Sequence, residues 1–142
     1  MLTQSPVMAA TPPSGQAVGE WSLRPEVQSA RLGRRLVDQV MPDVDDGVRR
    51  RAALITSELV ANGAQHATGD LVLTVHRLPD GWLLAVADDN PSPPVVRAIE
   101  ALAEEGRGLM IVQRVSHTLA WAATPEGKVV WACLQDEPSQ QD

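Results

Sequence analysis

Phenylalanine and tyrosine are absent from this chain of 142 residues, and cysteine and lysine occur once each. With a single thiol, Cys133, no disulfide can form within the chain, and zinc sites built from several cysteines are ruled out. Cys133 lies in the apolar run VVWACL, where a buried structural thiol is expected. The sole lysine, Lys128, reads as part of a late turn and follows no glycine-rich loop, which excludes a P-loop. No stretch approaches the roughly 20 apolar residues of a membrane span. The N-terminus shows no basic segment leading into an apolar core, so a secretory signal is not expected and the cytoplasm is the expected compartment. A long basic run is also missing. The net charge is −6, and the short cluster Arg49 to Arg51 reads as a solvated helix face. Binding to nucleic acid through phosphate neutralisation is therefore disfavoured.

What is present suits one compact domain. The apolar share is 44%, and four Trp with many Leu, Val and Ala must fill the core. A chain of this length buries roughly two thirds of its unfolded surface. Residues 1–19, rich in Pro, Ser, Thr and Gly, read as a mobile tail, as do residues 136–142, so the ordered domain is expected over 20–135.

Within that domain EWSLRP reads as a short strand. Pro25 then opens a helix whose stripe is Val27, Ala30, Leu32, Leu36, Val37 and Val40, with Pro42 as its stop. The run DVDDG supplies aspartate caps for a second helix from Asp46 to Ala67, its buried face formed by Leu54, Ile55, Leu59 and Val60. LVLTVHRL and WLLAVAD, joined by PDG, predict a hairpin. Three prolines in PSPP then stop regular structure. VVRAIEALAEEG reads as a loop or loose helix, GRGLMIVQRVS as a helix, and HTLAWAAT with VVWACLQ as a last hairpin. Helices and hairpins in this order, without strict βαβ alternation, point to an α+β fold with a mainly antiparallel sheet covered by helices on one face.

Three stretches can carry chemistry. In SELVANGAQHA, Glu58 and Asn62 stand four apart on one helix face, with His66 a turn further on. An amide oxygen suits a hard cation such as Mg²⁺, and a carboxylate can polarise a water or hydroxyl. The plainer alternative is a solvated polar stripe. Asp88 ends an apolar strand, where a carboxylate can accept from a ligand amine, or DDNP can be turn chemistry alone. In EGRGLMIV, Gly106 and Gly108 precede an apolar helix whose first N–H groups can face phosphate oxygens, with Arg107 as an added phosphate contact. An ordinary glycine-containing helix start would look the same. Ser57 has no evident histidine and acid partners, so it is not expected to be a hydrolase nucleophile.

Taken in order, SELVANGAQHA, VADDNPSPP and EGRGLMIV resemble the three nucleotide-binding boxes of the GHKL ATPase superfamily, and within it the small bacterial anti-sigma-factor serine/threonine kinases. The resemblance covers roughly residues 20–135. It implies a Bergerat-type two-layer α/β sandwich, with ATP and Mg²⁺ as cofactors. It implies Glu58 as general base, Asn62 as Mg²⁺ ligand and Asp88 as acceptor of the adenine amino group. Gly106, Arg107 and Gly108 would close on the phosphates, and the segment between Pro94 and Gly106 would be the lid. His66, Asn90, Pro91 and Leu109 complete the expected nucleotide-contacting set. The implied partners are a sigma factor or a STAS-type anti-anti-sigma protein, and a homodimer is compatible with the resemblance. Two departures stand out. Asp88 is followed by DNPSPP where the wider superfamily has D-x-G-x-G, and Gly63 follows Asn62 where Ala is usual, although a glycine inside a helix costs about 1 kcal/mol. The first departure keeps a second reading open, a partner-binding module with weak ATP binding or none.

Overall fold

The computed structural model describes residues 4–97 and 108–136. Among the described residues eight strands and three helices follow one another as β1 (Gln4–Pro6), β2 (Met8–Ala9), β3 (Gln16–Leu23), α1 (Ser29–Gln39), α2 (Asp46–His66), β4 (Leu71–Leu78), β5 (Gly81–Asp88), β6 (Val95–Arg97), α3 (Gly108–Val115), β7 (Thr118–Ala123) and β8 (Lys128–Gln135). Six strands form one sheet in the order β2-β7-β8-β5-β4-β3. The β2–β7 pairing is parallel and the other pairings are antiparallel. The fold is thus α+β, with three helices on a mixed, mainly antiparallel sheet, consistent with the Bergerat fold.

Local chemistry explains most of these elements. The predicted hairpins form: Leu78 pairs Gly81 across the Pro79–Asp80 turn, and Ala123 pairs Lys128 across the second. Asp45 caps α2, its carboxylate accepting from the Gly47 N–H at 2.9 Å, which satisfies one of the helix's orphan donors. Alternate residues of the strands, among them Leu71, Leu73 and Val75 of β4 and Leu84 and Val86 of β5, meet Val37, Ile55, Leu59, Val60 and Val112 of the helices in the main core. Gly63 belongs to that contact. A Cβ there would lie 3.2 Å from both Leu71 and Val86, so the glycine lets α2 lie close on the sheet.

The helix stripes differ in part from the sequence reading. Val27 precedes α1 and is 78% exposed, and Leu32 and Leu54 also face outward. In α1 the fully buried positions are Ser29, Gly33 and Val37, while Ala30 and Leu36 of the expected stripe, with Val40 at the helix end, pack half-buried against the core. A small residue at Gly33 lets α1 approach Thr56, Val60 and Leu73, so the buried face is set by close packing rather than by the largest apolar side chains.

The N-terminal stretch read as a mobile tail is paired from Gln4 onward. β1 pairs antiparallel with β6, β2 adds an edge strand to β7, and β3 begins at Gln16. Since β2 and β3 lie on opposite edges of the sheet, residues 10–15 cross from one edge to the other. The Trp131 indole N–H donates to the Ala10 carbonyl at 3.0 Å, and Trp131, Leu83, Ala85 and Ala120 form a second small core against which Ala10 and Cys133 pack. Strand parity puts this cluster on the face away from the helices. Val95–Arg97, read as loop or loose helix, is the strand β6, and the rest of that stretch lies outside the described residues. Residues 137–142 of the expected C-terminal tail lie outside them too, while Asp136 is tied to Arg77.

Candidate functional site

α2 packs against β5 of the sheet and against α3. Even-numbered residues of β5 face the helices, so Asp88 points to the α2 side of the sheet. Glu58 and Asn62 are half-buried on α2, on either side of Leu59 and Val60 in the core. Glu58 reaches α3: a side chain on Gly108 would put its Cβ 2.7 Å from Glu58 Oε1. The glycine at the first position of α3 therefore leaves room for the carboxylate there. Leu109 is buried in the main core, so only its backbone remains for a ligand. Gly106 and Arg107 lie outside the described residues, as does most of the expected lid.

The end of β5 is more elaborate than its sequence suggests. Strand register sets Lys128 of β8 directly opposite Asp88. The two side chains form a buried ion pair with Nζ 3.1 Å from Oδ1, and the ammonium also donates to the Asn90 carbonyl at 2.9 Å. Gly127 permits this approach, because a Cβ there would collide with the Asp88 carbonyl and the Asp89 backbone. Asp88 Oδ1 also accepts from the Asn90 N–H at 2.8 Å. Asp88 Oδ2 is buried and accepts no hydrogen bond among the described residues. One oxygen is thus filled and the other left open. Lys128 was missed as a site residue by the sequence reading, which placed it in a turn. Its signal was a lone charge at the head of the apolar strand VVWACL.

The loop after β5 is braced by side chains of its own. The Asn90 side chain donates to the His66 carbonyl at 3.0 Å and accepts from the Ser92 N–H at 2.8 Å, which fastens the proline loop to the end of α2. His66 closes α2 with an exposed side chain, and Pro91 is exposed in the loop. Asp89 accepts from the Thr68 N–H, the Thr68 hydroxyl and the Gly69 N–H at 2.9, 2.7 and 2.8 Å. Those bonds, led by the one from the Thr68 backbone, hold its carboxyl below the usual range. Elsewhere, Cys133, expected to be buried, is half-buried at the edge of the second small core, and that partial burial pushes its thiol up.

These residues fit the groups the motifs imply. A buried, unfilled carboxylate oxygen is what an exocyclic amine requires. Among the described residues no three His, Cys, Asp or Glu side chains gather as a metal cluster. A single amide oxygen on α2 suits Mg²⁺, which is commonly held by few protein ligands together with substrate phosphates. No helix among the described residues is long and apolar enough to cross a membrane.

Comparison with known proteins agrees with the geometry. No curated protein matched the chain. A family model, the histidine kinase-like ATPase domain, matches residues 23–134. That span holds the three helices, the strands β4, β5 and β7, nearly all of β8 and every site residue named above, and the chain belongs to the histidine kinase-like ATPase domain family.

Proposed function

We propose that this chain is an ATP-binding regulatory kinase of the anti-sigma type, which binds a sigma factor or phosphorylates a serine or threonine on a small STAS-type partner. The observation that carries the nucleotide part is the open Oδ2 of Asp88, buried beside α2 with no donor among the described residues. An acceptor kept dry and unfilled is costly unless a ligand supplies the hydrogen bond. Asp88 would take the adenine amino group there. Asn62 would hold Mg²⁺, which neutralises charge on the phosphates when bound. Glu58 would accept the proton of the partner's hydroxyl as that oxygen bonds to the γ-phosphorus, while the bond from the γ-phosphorus to the β,γ-bridging oxygen breaks and ADP leaves with that oxygen. The N–H groups at the start of α3 would stabilise the phosphate oxygens. Glu58 Oε1 lies against Gly108, and this closeness of the carboxylate to the first turn of α3 supports the reading.

Calorimetric titration of ATP with Mg²⁺ tests this reading. Wild type should bind. Asn62→Ala should lose the Mg²⁺ dependence, and Asp88→Asn, checked for native circular dichroism, should lose binding. Transfer of labelled phosphate to a STAS-type protein, abolished in Glu58→Gln, would support the kinase step. A wild type that binds no ATP would overturn the nucleotide reading. The absence of glycine after Asp88 would then favour a partner-binding module that has kept the fold.

A further inference from the structure

The Asp88–Lys128 pair calls for a reason beyond stability. Burying an ammonium and a carboxylate together is often no better than burying two apolar side chains. Lys128 is nonetheless almost fully enclosed, and it is the chain's only lysine. Its effect on Asp88 is asymmetric. A carboxylate oxygen offers two lone-pair positions. Both positions of Oδ1 are taken, one by Lys128 Nζ at 3.1 Å and one by the Asn90 N–H at 2.8 Å. Oδ2 accepts from nothing among the described residues.

We infer that Lys128 is a specificity-determining residue for the nucleotide base: by filling Asp88 Oδ1 it leaves one acceptor, which takes a single amine hydrogen of adenine and refuses the paired N–H groups of guanine. This rests on the nucleotide reading above. Adenine offers one exocyclic amine beside a ring acceptor, so one open oxygen suffices. Guanine carries an oxygen where adenine has that amine, and an oxygen facing a carboxylate is repelled. Guanine's alternative is to shift so that its ring N–H and its 2-amino group each donate to one carboxylate oxygen. That pose needs both oxygens of Asp88. With Oδ1 filled, one guanine N–H is left buried and unpaired, and a polar group stranded in this way discriminates strongly. Specificity here is the rejection of a competitor rather than an added contact to the preferred ligand.

The test compares ATP, GTP and inosine triphosphate, each with Mg²⁺, by calorimetry. Inosine has the guanine ring N–H and oxygen but no 2-amino group. Wild type should bind ATP at least about tenfold more tightly than GTP, the factor carried by one charge-assisted hydrogen bond. GTP and inosine triphosphate should bind wild type equally weakly, because the 2-amino group finds no acceptor. In Lys128→Met one position of Oδ1 opens. The ATP-to-GTP preference should then fall about tenfold, and GTP should overtake inosine triphosphate. Lys128→Gln, which keeps a donor, should retain the wild-type preference. Should Lys128→Met fail to fold, the three-nucleotide series on wild type still decides. Wild type binding GTP tenfold better than inosine triphosphate overturns the inference, as does an ATP-to-GTP ratio unmoved in Lys128→Met. Either result alongside ATP binding defeats the role of Lys128 and leaves the nucleotide reading standing. No ATP binding by wild type defeats both.

Discussion

An ion pair lies beside each end of strand β5, and the two pairs differ in nearly every physical respect. At the Asp88 end, Lys128 and Asp88 have side-chain exposures of 2% and 1% and a single contact of 3.1 Å. At the Gly81 end, Arg77 and Asp136 are each 38% exposed. They meet in a two-pronged contact at 2.7 and 3.1 Å, and Arg77 also donates to the Gly81 carbonyl at 2.9 Å. The exposed pair has the better geometry, and the buried pair faces the site. Geometry that favours stability sits where water weakens it, while the pair that is costly to build lies where a ligand would read its one open oxygen.

The sharpest separation of the two ends should come from stability. Removing one partner of a buried pair strands the other charge, so Lys128→Met or Asp88→Asn should each cost about 3–5 kcal/mol in denaturant unfolding. The double variant Lys128→Met with Asp88→Asn should recover most of that loss, because no buried charge remains. A single variant that costs less than about 1 kcal/mol would mean that water reaches the pair and that the two ends do not differ as described.

A smaller effect is expected where α2 meets α3. In Gly108→Ala the new methyl group would press on Glu58 Oε1, the tip of a flexible side chain that can swing away. The fold and ATP affinity should survive, while phosphoryl transfer should fall about tenfold to a hundredfold, since a displacement of about 1 Å at a reacting group has that size of effect. Equal loss of binding and of turnover would place Gly108 in nucleotide binding rather than in positioning the base.

Much of this was legible in the sequence, and what was not has a common cause. The hairpins announce themselves through PDG and alternating apolar residues, and α2 ends within one residue of its expected span because Asp45 caps it and the residues ATGD stop it. Glu58 and Asn62 could be placed together because four residues of helix make them neighbours. The misses depend on contacts distant in sequence. The N-terminal strands form against β6 and β7, about ninety or more residues away, and local composition rich in Pro and Gly cannot reveal such pairing. Lys128 stands 40 residues from Asp88, brought there by the β5–β8 register and by the clearance at Gly127. Asn90 lies in the Asp88 box, and its role in fastening the loop to the end of α2 was not legible because His66 is 24 residues away in sequence.

The mildest contrast concerns the exposed pair alone. Asp136→Ala should cost less than about 1 kcal/mol, and the difference from wild type should fade at about 1 M salt, where charges are screened beyond about 3 Å. Arg77→Ala should cost somewhat more and keep part of its effect at high salt, because the guanidinium also lies 4.6 Å from the centre of the Trp82 ring and bonds the Gly81 carbonyl. The hydrogen bonds that Arg77 donates to Asp136 are the main cause that raises the Arg77 pKa above its ordinary value. A raised cationic group stabilises the fold fully below its unfolded pKa and loses that contribution only as pH rises through the folded one. The arginine's share should therefore stay constant through neutral pH and decline only in strong alkali. Denaturant midpoints for the two variants, measured at low and high salt, check this. An Asp136→Ala cost that persists in full at high salt would show that this end of β5 is shielded from water like the other.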